Sequence, residues 1–490
     1  MITIGLDAVA RATGSSSQVG DLLVTGGVLQ DSREVGPGDL FVAIVGERTD
    51  GHAHVASALA AGGVGALVTD PARPLADGVD ASRLVVVPDT VAALGDLARH
   101  SLAELRGAVR PAGERPGVVA VTGSVGKTTT KDLLVDLLTP RGPLVAPPGS
   151  LNNEVGLPLT VLRADEATTT LVLEMGADRV GNLEYLTSVA PPDVAIVLAV
   201  GRAHLGHFGG IDNVARTKSE LVAGLVPTGT AVLNADDHRV AAMASLAPGD
   251  VLTFSAAGDP AADLAATDVR ADDAGRASFT VRTPSGSAQV RLALVGPHHV
   301  ANALAATAAG LALGEDLDAL AARLAVAGPR SAHRTAVSTL AGDVLLLDDS
   351  YNANPDSMRA GLATLEAIAP GRRRVAVLGH MLELGEESAA EHAGLAEVLL
   401  ARGIEAVVVV GEEAAPLAAA ARDAGIQVDD LTGSTPEVIA ARVREVAHPG
   451  DAVLLKGSRG SGVWEVADLL TSTDGLASAP DAPGDEKMRP

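Results

Sequence analysis

The chain of 490 residues contains no cysteine, which excludes disulfides, thiolate metal sites and a cysteine nucleophile. That absence fits a reducing compartment, and a cytoplasmic protein is expected. Aromatic residues make up only 1% of the chain, so its cores must be assembled from Ala, Val and Leu. No apolar run approaches the ~20 residues that span a bilayer, and no stable membrane insertion is expected. The opening stretch "MITIGLDAVARATG" lacks a basic segment followed by a long apolar run and does not read as a secretory signal. Basic charge is scarce: 37 Lys and Arg against 61 Asp and Glu leave a formal net charge of −24. Such a chain is repelled by nucleic acid and by anionic membrane surfaces. An anionic ligand must therefore be held by glycines, helix ends and a few placed cations.

Hydrophobic residues reach 47%, which fits neither a disordered chain nor a fibre. The length exceeds one ordinary core. Two loops rich in Pro and Gly or Ser, "VRPAGERPG" (109–117) and "AGPRSAHR" (327–334), divide the chain. The expected domains are 1–110, 111–328 and 329–470, followed by a polar, Pro-rich tail, 471–490, expected to be disordered. In the first segment, "DSREVGPGDLFVAIVGERTDGH" predicts a loop, a strand over 40–45 and a second loop, then a helix over 54–61 and a strand over 66–69. Later segments alternate helical stretches with apolar strands that end in a polar residue: "TLVLEMG", "VAIVLAVGRAH", "VLLLDDSYN", "RRVAVLGHM", "AVVVVG" and "DAVLLKG". This is the pattern of parallel sheets covered on both faces, an α/β fold. Ligands of such sheets bind beyond the carboxyl ends of the strands. No repeat of short period is visible.

The stretch "GVVAVTGSVGKTTTKDLLVDLL" (117–138) reads as a strand, a glycine turn and a helix. A common phosphate loop carries a glycine five residues before its Gly-Lys pair. Here that position is Val121, and the first glycine is Gly123. Gly123 and Gly126 still allow backbone N–H groups to turn around a phosphate, with the helix N-terminus adding its field. Lys127 would reach terminal phosphates and Thr128 could ligate Mg²⁺. The candidate ATP site is Thr122, Gly123, Ser124, Val125, Gly126, Lys127, Thr128 and Thr129. The alternative is an ordinary strand–helix turn. Leu133, Leu134, Leu137 and Leu138 form one helix face, which Pro140 ends.

Glu174 and His204 stand at or just past strand ends and could meet a metal on the phosphates. Taken singly, each reads as structural. Lys218 lies in the apolar stripe of "GIDNVARTKSELVAGL". It either snorkels to water or is buried, with its pKa lowered and its amine available. Asn302 lies early in an Ala-rich helix that His298 enters; helix capping or a surface amide competes with a binding role. Arg334 follows the second division and could close onto a phosphate. Asp349 ends a strand before Asn352, Asn354 and Pro355, which are also plain turn formers. "LLKGSRG" offers Lys456, Ser458 and Arg459, a local basic site, and the arginines at 372–374 read as a solvated edge.

Taken in order, these pieces resemble the Mur ligases of peptidoglycan synthesis, to about Leu470. The family's phosphate loop has the short form found here. The resemblance implies a small N-terminal α/β domain for a UDP-substrate, a central P-loop ATPase with a mostly parallel sheet, and a Rossmann-like C-terminal domain. It implies ATP and two Mg²⁺ ions, with Thr128, Glu174, His204 and a carbamylated Lys218 at the metals. Lys127, Lys218, His204 and Arg334 would be catalytic. Asn302 would touch adenine, Arg334 the γ-phosphate and Asp349 the ribose. Ser32 and Arg33, in "DSREVGPGDLFVA", resemble the UDP-binding start, and Asn152, Asn153 and Thr160, in "LNNEVGLPLT", the muramoyl-facing segment. Asn352, Asn354, Lys456 and Ser458 would complete the substrate site. "DDSYNANPDSM" resembles the branch that joins D-alanyl-D-alanine to UDP-N-acetylmuramoyl-tripeptide through an acyl phosphate, and the Asp-Asn-Pro-Arg motif of another branch is absent. A monomer that closes its last domain over the centre is expected. His299 and His380 depart from the family pattern, which has Asn and an acidic residue there. A folylpolyglutamate synthase and a nucleotide-binding regulator without ligase activity are the competing functions.

Overall fold

The computed structural model describes residues 1–46, 49–108, 115–202 and 208–473. Its last helix, Val463–Thr473, passes the expected start of the tail at residue 471 because it is still anchored there. Leu470 is fully buried and the Thr471 hydroxyl donates to the Ala467 carbonyl. The rest of the expected tail lies outside the described residues.

Four sheets build the molecule. A parallel sheet near the N-terminus runs Val28–Leu29, Leu40–Val42, Gly65–Val68 and Leu84–Val86, and a short antiparallel pair, Ile4–Gly5 with Leu23–Val24, stands beside it. The strand expected over 40–45 stops at Val42, and a 3₁₀ turn, Gly51–His54, precedes the helix Val55–Ala60. From this region the helix Thr90–Gly107, capped by the Asp89 carboxylate, carries Leu94, Leu97, Leu102 and Leu105 into a core shared with Leu157, Leu183 and Leu186.

The nine-stranded sheet is parallel from Leu144–Val145 through Thr170–Glu174, Gly117–Thr122, Val194–Val197, Thr230–Asn234 and Asp250–Ser255 to Leu264–Ala271. It ends in two antiparallel strands, Arg276–Thr283 and Gly286–Val295. Their side chains alternate between buried and solvent-facing, as a sheet covered on one face requires. The helix His299–Ala312 packs on this sheet with Ala303, Ala305, Ala306, Ala308 and Ala309 all buried. Small side chains let it lie close to the helix Lys127–Leu138, which is how a chain poor in aromatics fills this core.

The third core is a six-stranded sheet in the order Ala336–Leu340, Val344–Asp348, Ala452–Lys456, Arg374–Gly379, Ile404–Val410 and Gln427–Asp430. Only its first pair is antiparallel. The arginines at 372–374 are not the solvated edge expected of them. Arg374 opens an interior strand, and Arg373 pairs at 2.7 Å with Asp451, which is buried. This unit is closed onto the central one. The Arg202 N–H donates to Asp356 (3.0 Å) and its guanidinium pairs with Glu391, while Asn354 Nδ2 donates to the Ser124 carbonyl (3.2 Å). Among the described residues no helix is long and apolar enough to cross a membrane.

Candidate active site

The phosphate loop leaves the buried strand Gly117–Thr122 at the carboxyl edge of the nine-stranded sheet. Both of its glycines are required. A Cβ on Gly123 would sit 2.8 Å from Leu198 Cβ, and one on Gly126 would sit 2.4 Å from Asn302 Oδ1. Gly126 also adopts φ +84°, a left-handed conformation that glycine enters without strain. The helix Lys127–Leu138 starts there and presents its free N–H groups to the cleft.

Lys127 Nζ donates to the Gly123 carbonyl at 2.7 Å. Burial lowers its pKa, the Glu174 carboxylate offsets part of that, and the Arg334 guanidinium adds to it. Glu174 ends its strand almost fully buried. One of its oxygens accepts from Thr128 Oγ1 (2.8 Å) and the other from Asn152 Nδ2 (2.7 Å). Thr128 Oγ1 lies 3.1 Å from Ser150 Oγ, a residue the sequence reading missed. Thr128, Glu174 and Ser150 thus gather hard oxygen donors at the loop mouth, which suits Mg²⁺. No group of three or more His, Asp or Glu able to hold a metal occurs among the described residues. The donor set therefore fits an ion that takes its remaining ligands from phosphates and water, as Mg²⁺ does in phosphate sites. His204 lies outside the described residues.

Lys218 projects from the helix Ile211–Ala223 into the same cleft and is only 5% exposed, so it does not snorkel. Burial, and Lys127 beside it, push its pKa well down. Among the described residues no carboxylate pairs with it. Asn302 is neither a cap nor a surface amide: it is buried, and its Nδ2 lies 3.2 Å from Nδ1 of His299. The His299 ring is kept neutral by burial, and its buried Nε2 has no hydrogen-bond partner among the described residues.

The opposite wall comes from the six-stranded unit. Arg334 crosses from it, its Nη2 donating to Thr128 Oγ1 at 3.2 Å. The residues on either side, His333 (φ 59°) and Thr335 (φ 51°), are left-handed, a costly conformation for side chains of this kind. Asp349 Oδ2 accepts from Lys456 Nζ at 2.5 Å, and Lys456, only 2% exposed, also reaches the carbonyls of Asp349 and Asn352. The cleft between the two walls has a volume of about 670 Å³, within the range of small-molecule sites. Ser124, Val125, Thr129, Asn153, Asn352 and Asn354 also line it. Asn354 in addition caps the helix Pro355–Ile368 through a reciprocal bond with Ser357.

Five of the expected side chains do not line this cleft. Thr160 is buried and spends its hydroxyl on the Gly156 carbonyl (2.8 Å). Ser458 is buried and pins two loops, accepting from the Leu382 N–H and donating to the Ala353 carbonyl. Thr122 is fully buried, so only its backbone serves the loop. Among the described residues its side-chain hydroxyl has no partner. Ser32 and Arg33 lie after the strand Val28–Leu29, and the exposed Arg33 is paired with Asp31 at 2.5 Å. Tyr351 and Glu383, which line the cleft, were missed. Tyr351 sits inside what reads as a turn, and Glu383 (φ 65°) in an unremarked loop.

Three family models match the chain in succession: "Mur ligase family, catalytic domain" over residues 26–102, "Mur ligase middle domain" over 121–310 and "Mur ligase, glutamate ligase domain" over 333–459. The chain belongs to the Mur ligase family. Among its relatives is a UDP-N-acetylmuramoyl-tripeptide–D-alanyl-D-alanine ligase of Mycobacterium tuberculosis, 42% identical over 488 residues that cover 93% of this chain and 94% of that protein. The Mur ligase fold is matched by a crystal structure of MurF from Acinetobacter baumannii, with TM-score 0.83 and 32% identity over 96% of this chain and 99% of that one. MurF from Thermotoga maritima in complex with ADP aligns with TM-score 0.75 and 29% identity, covering 92% and 98% of the two chains. In this Mur ligase the cleft lies between residues of the middle and glutamate ligase regions.

Proposed function

We infer that this Mur ligase is an ATP-dependent, ADP-forming ligase that joins D-alanyl-D-alanine to UDP-N-acetylmuramoyl-tripeptide in peptidoglycan precursor synthesis. The observation that carries this reading is the meeting of Lys127, Thr128 and Glu174 from one wall with Arg334 from the other. A transferred phosphoryl group needs cations on several sides, held in place before the reaction. The relatives supply the substrates' identity, and the ADP-bound one supports an adenine nucleotide at this mouth.

A carboxylate is a poor electrophile in water and must first gain a leaving group. An oxygen of the tripeptide's terminal carboxylate attacks the γ-phosphorus of ATP, and ADP departs. The amine of D-alanyl-D-alanine then attacks the carbonyl carbon of the acyl phosphate. The tetrahedral intermediate collapses, phosphate leaves and the amine's proton passes to solvent or a base. Lys127 and Arg334 neutralise charge on the transferred group, and the helix N-terminus holds the phosphates that stay with ADP. The closed six-stranded unit keeps water from an intermediate it would hydrolyse. Mg²⁺, one ion or two, would be held by Thr128, Glu174 and His204 and would supply further charge neutralisation at the phosphates.

Lys218 joins this set if carbamylated. Its neutral amine takes up carbon dioxide and releases a proton, which turns a buried neutral group into an anion able to bind metal. Its burial beside Lys127 supports this assignment. Asn302 serves the adenine and Asp349 the ribose. The enzyme works as a cytoplasmic monomer, without nucleic acid or stable membrane insertion.

The test is phosphate release with each of UDP-N-acetylmuramoyl-tripeptide, D-alanyl-D-alanine and Mg²⁺ omitted in turn. Release that needs all three, with a pentapeptide product by mass, is the expected result. Release only with glutamate and a folate, or with no acceptor pair, overturns the assignment.

A further inference from the structure

Arg334 is held in an unusual way for an arginine on a catalytic wall. No acidic side chain pairs with it among the described residues, and its Nε is buried without a hydrogen-bond partner. Its contacts are Thr128 Oγ1 and the ring of Tyr351, whose centroid lies 4.3 Å from Arg334 Cζ. The whole chain has two tyrosines and one tryptophan. One of those tyrosines and the tryptophan stand together here. Arg459 approaches the Tyr351 ring at 5.5 Å and the Trp464 ring at 5.3 Å. Trp464 meets His333 edge-on at 6.0 Å, and His333 Nδ1 lies 2.8 Å from Asp348. The Tyr351 N–H donates to the His333 carbonyl at 3.2 Å. The strained segment 333–335 is thereby fixed at the residue before Arg334 and beneath its side chain.

We propose that Tyr351 is the positioning residue for Arg334. An acidic partner would hold the guanidinium but also neutralise it, weakening the charge meant for the phosphoryl group. An aromatic face holds a cation through its quadrupole and leaves the positive charge in place. A flat ring also matches a planar guanidinium, so it fixes orientation as well as place. The inference rests on the reading that Arg334 serves the transferred phosphate. Tyr351 itself need not touch any substrate.

The test is steady-state kinetics on the full-length enzyme with three variants. Tyr351→Leu is expected to lower kcat tenfold or more, with the KM values for tripeptide and D-alanyl-D-alanine within about twofold of wild type. Tyr351→Phe, which keeps the ring and loses the hydroxyl, is expected to restore kcat to within about threefold. The double variant Arg334→Ala/Tyr351→Leu is expected to be no slower than Arg334→Ala alone, because the ring acts only through the arginine. Fluorescence of Trp464, the single tryptophan, reports whether each variant keeps its fold. If Tyr351→Leu does not fold, Tyr351→Met replaces it in both the single and double variants. Wild-type kcat in Tyr351→Leu, equal damage in Phe and Leu, or additive losses in the double variant would each overturn the proposal. A rise confined to the KM for ATP would make Tyr351 a nucleotide contact instead. Wild-type turnover in Arg334→Ala would remove the phosphate role itself, a different failure from any of these.

Discussion

Glu174→Gln separates the charge of the loop mouth from its shape. The amide keeps the volume of the carboxylate. Its oxygen can still accept from Asn152, and its nitrogen can donate to Thr128, whose own proton turns toward Ser150 at 3.1 Å. What is lost is the negative charge facing Lys127. Two hydrogen bonds to a charged group, about 1.5–3 kcal/mol each, become neutral ones of about 0.5–1.5 kcal/mol. The expected loss of stability is therefore about 2 kcal/mol, read as a lower urea midpoint with an unchanged slope. Turnover should fall further, by roughly 10²–10³, as it does when one preorganised electrostatic group is taken from a dry site. The Mg²⁺ concentration for half-maximal phosphate release should rise. Glu174 also offsets part of the burial that lowers the pKa of Lys127. Without it Lys127 loses its proton at lower pH, so the KM for ATP should climb earlier on the alkaline side than in wild type. A variant with wild-type turnover at every Mg²⁺ concentration would refute the reasoning. A slow variant with an unshifted Mg²⁺ dependence would remove Glu174 from the metal site.

Unmodified Lys218 carries a folded-state pKa well below the ordinary 10.5. The unfolded chain then binds a proton that the folded one does not, so stability rises with pH toward 10.5. Denaturation across that window should show the slope, and Lys218→Met should flatten it. Protein prepared in labelled bicarbonate should carry one labelled carbamate carbon by NMR, absent from Lys218→Met. Asp349→Asn leaves the buried Lys456 ammonium without its carboxylate; an unfolding free energy lower by about 3 kcal/mol is expected, and a loss under 1 kcal/mol would contradict the pairing. Glu391→Gln weakens the contact that Arg202 makes across the two units. A larger radius of gyration by small-angle scattering is expected in that variant, and an unchanged radius would show that the closed arrangement does not depend on it.

The local chemistry of this chain is legible in its letters, and its partnerships are not. The phosphate loop could be read from Gly123, Gly126 and Lys127 because strand, turn and helix are all local. Burial of Lys218 was half legible: the apolar stripe pointed inward, but only packing decides between an inward and a snorkelling side chain. Asp349 and Lys456 each ended an apolar strand, yet their pairing across 107 residues depends on which strands are neighbours. Thr160 and Ser458 misled because a hydroxyl near a binding segment can equally satisfy nearby backbone. The antiparallel strands Arg276–Thr283 and Gly286–Val295 alternate in burial, a period-two signal that a search for parallel sheets passes over. Tyr351 looked like one letter of a turn until Arg334, 17 residues upstream, was brought to its ring.

The six-stranded sheet has a history as well as a shape. Ala452–Lys456, the strand at its centre, comes almost last in the chain, while its neighbours Val344–Asp348 and Arg374–Gly379 are made far earlier. During synthesis those two strands must wait, with a gap between them, for the end of the chain to fill it. Lys456 arrives on that last strand and completes the pair with Asp349. A nascent or truncated chain can therefore own a finished phosphate loop and still lack the opposite wall. A chain lacking that wall is expected to leave ATP unspent, which phosphate release from a chain ended before Ala452 would read.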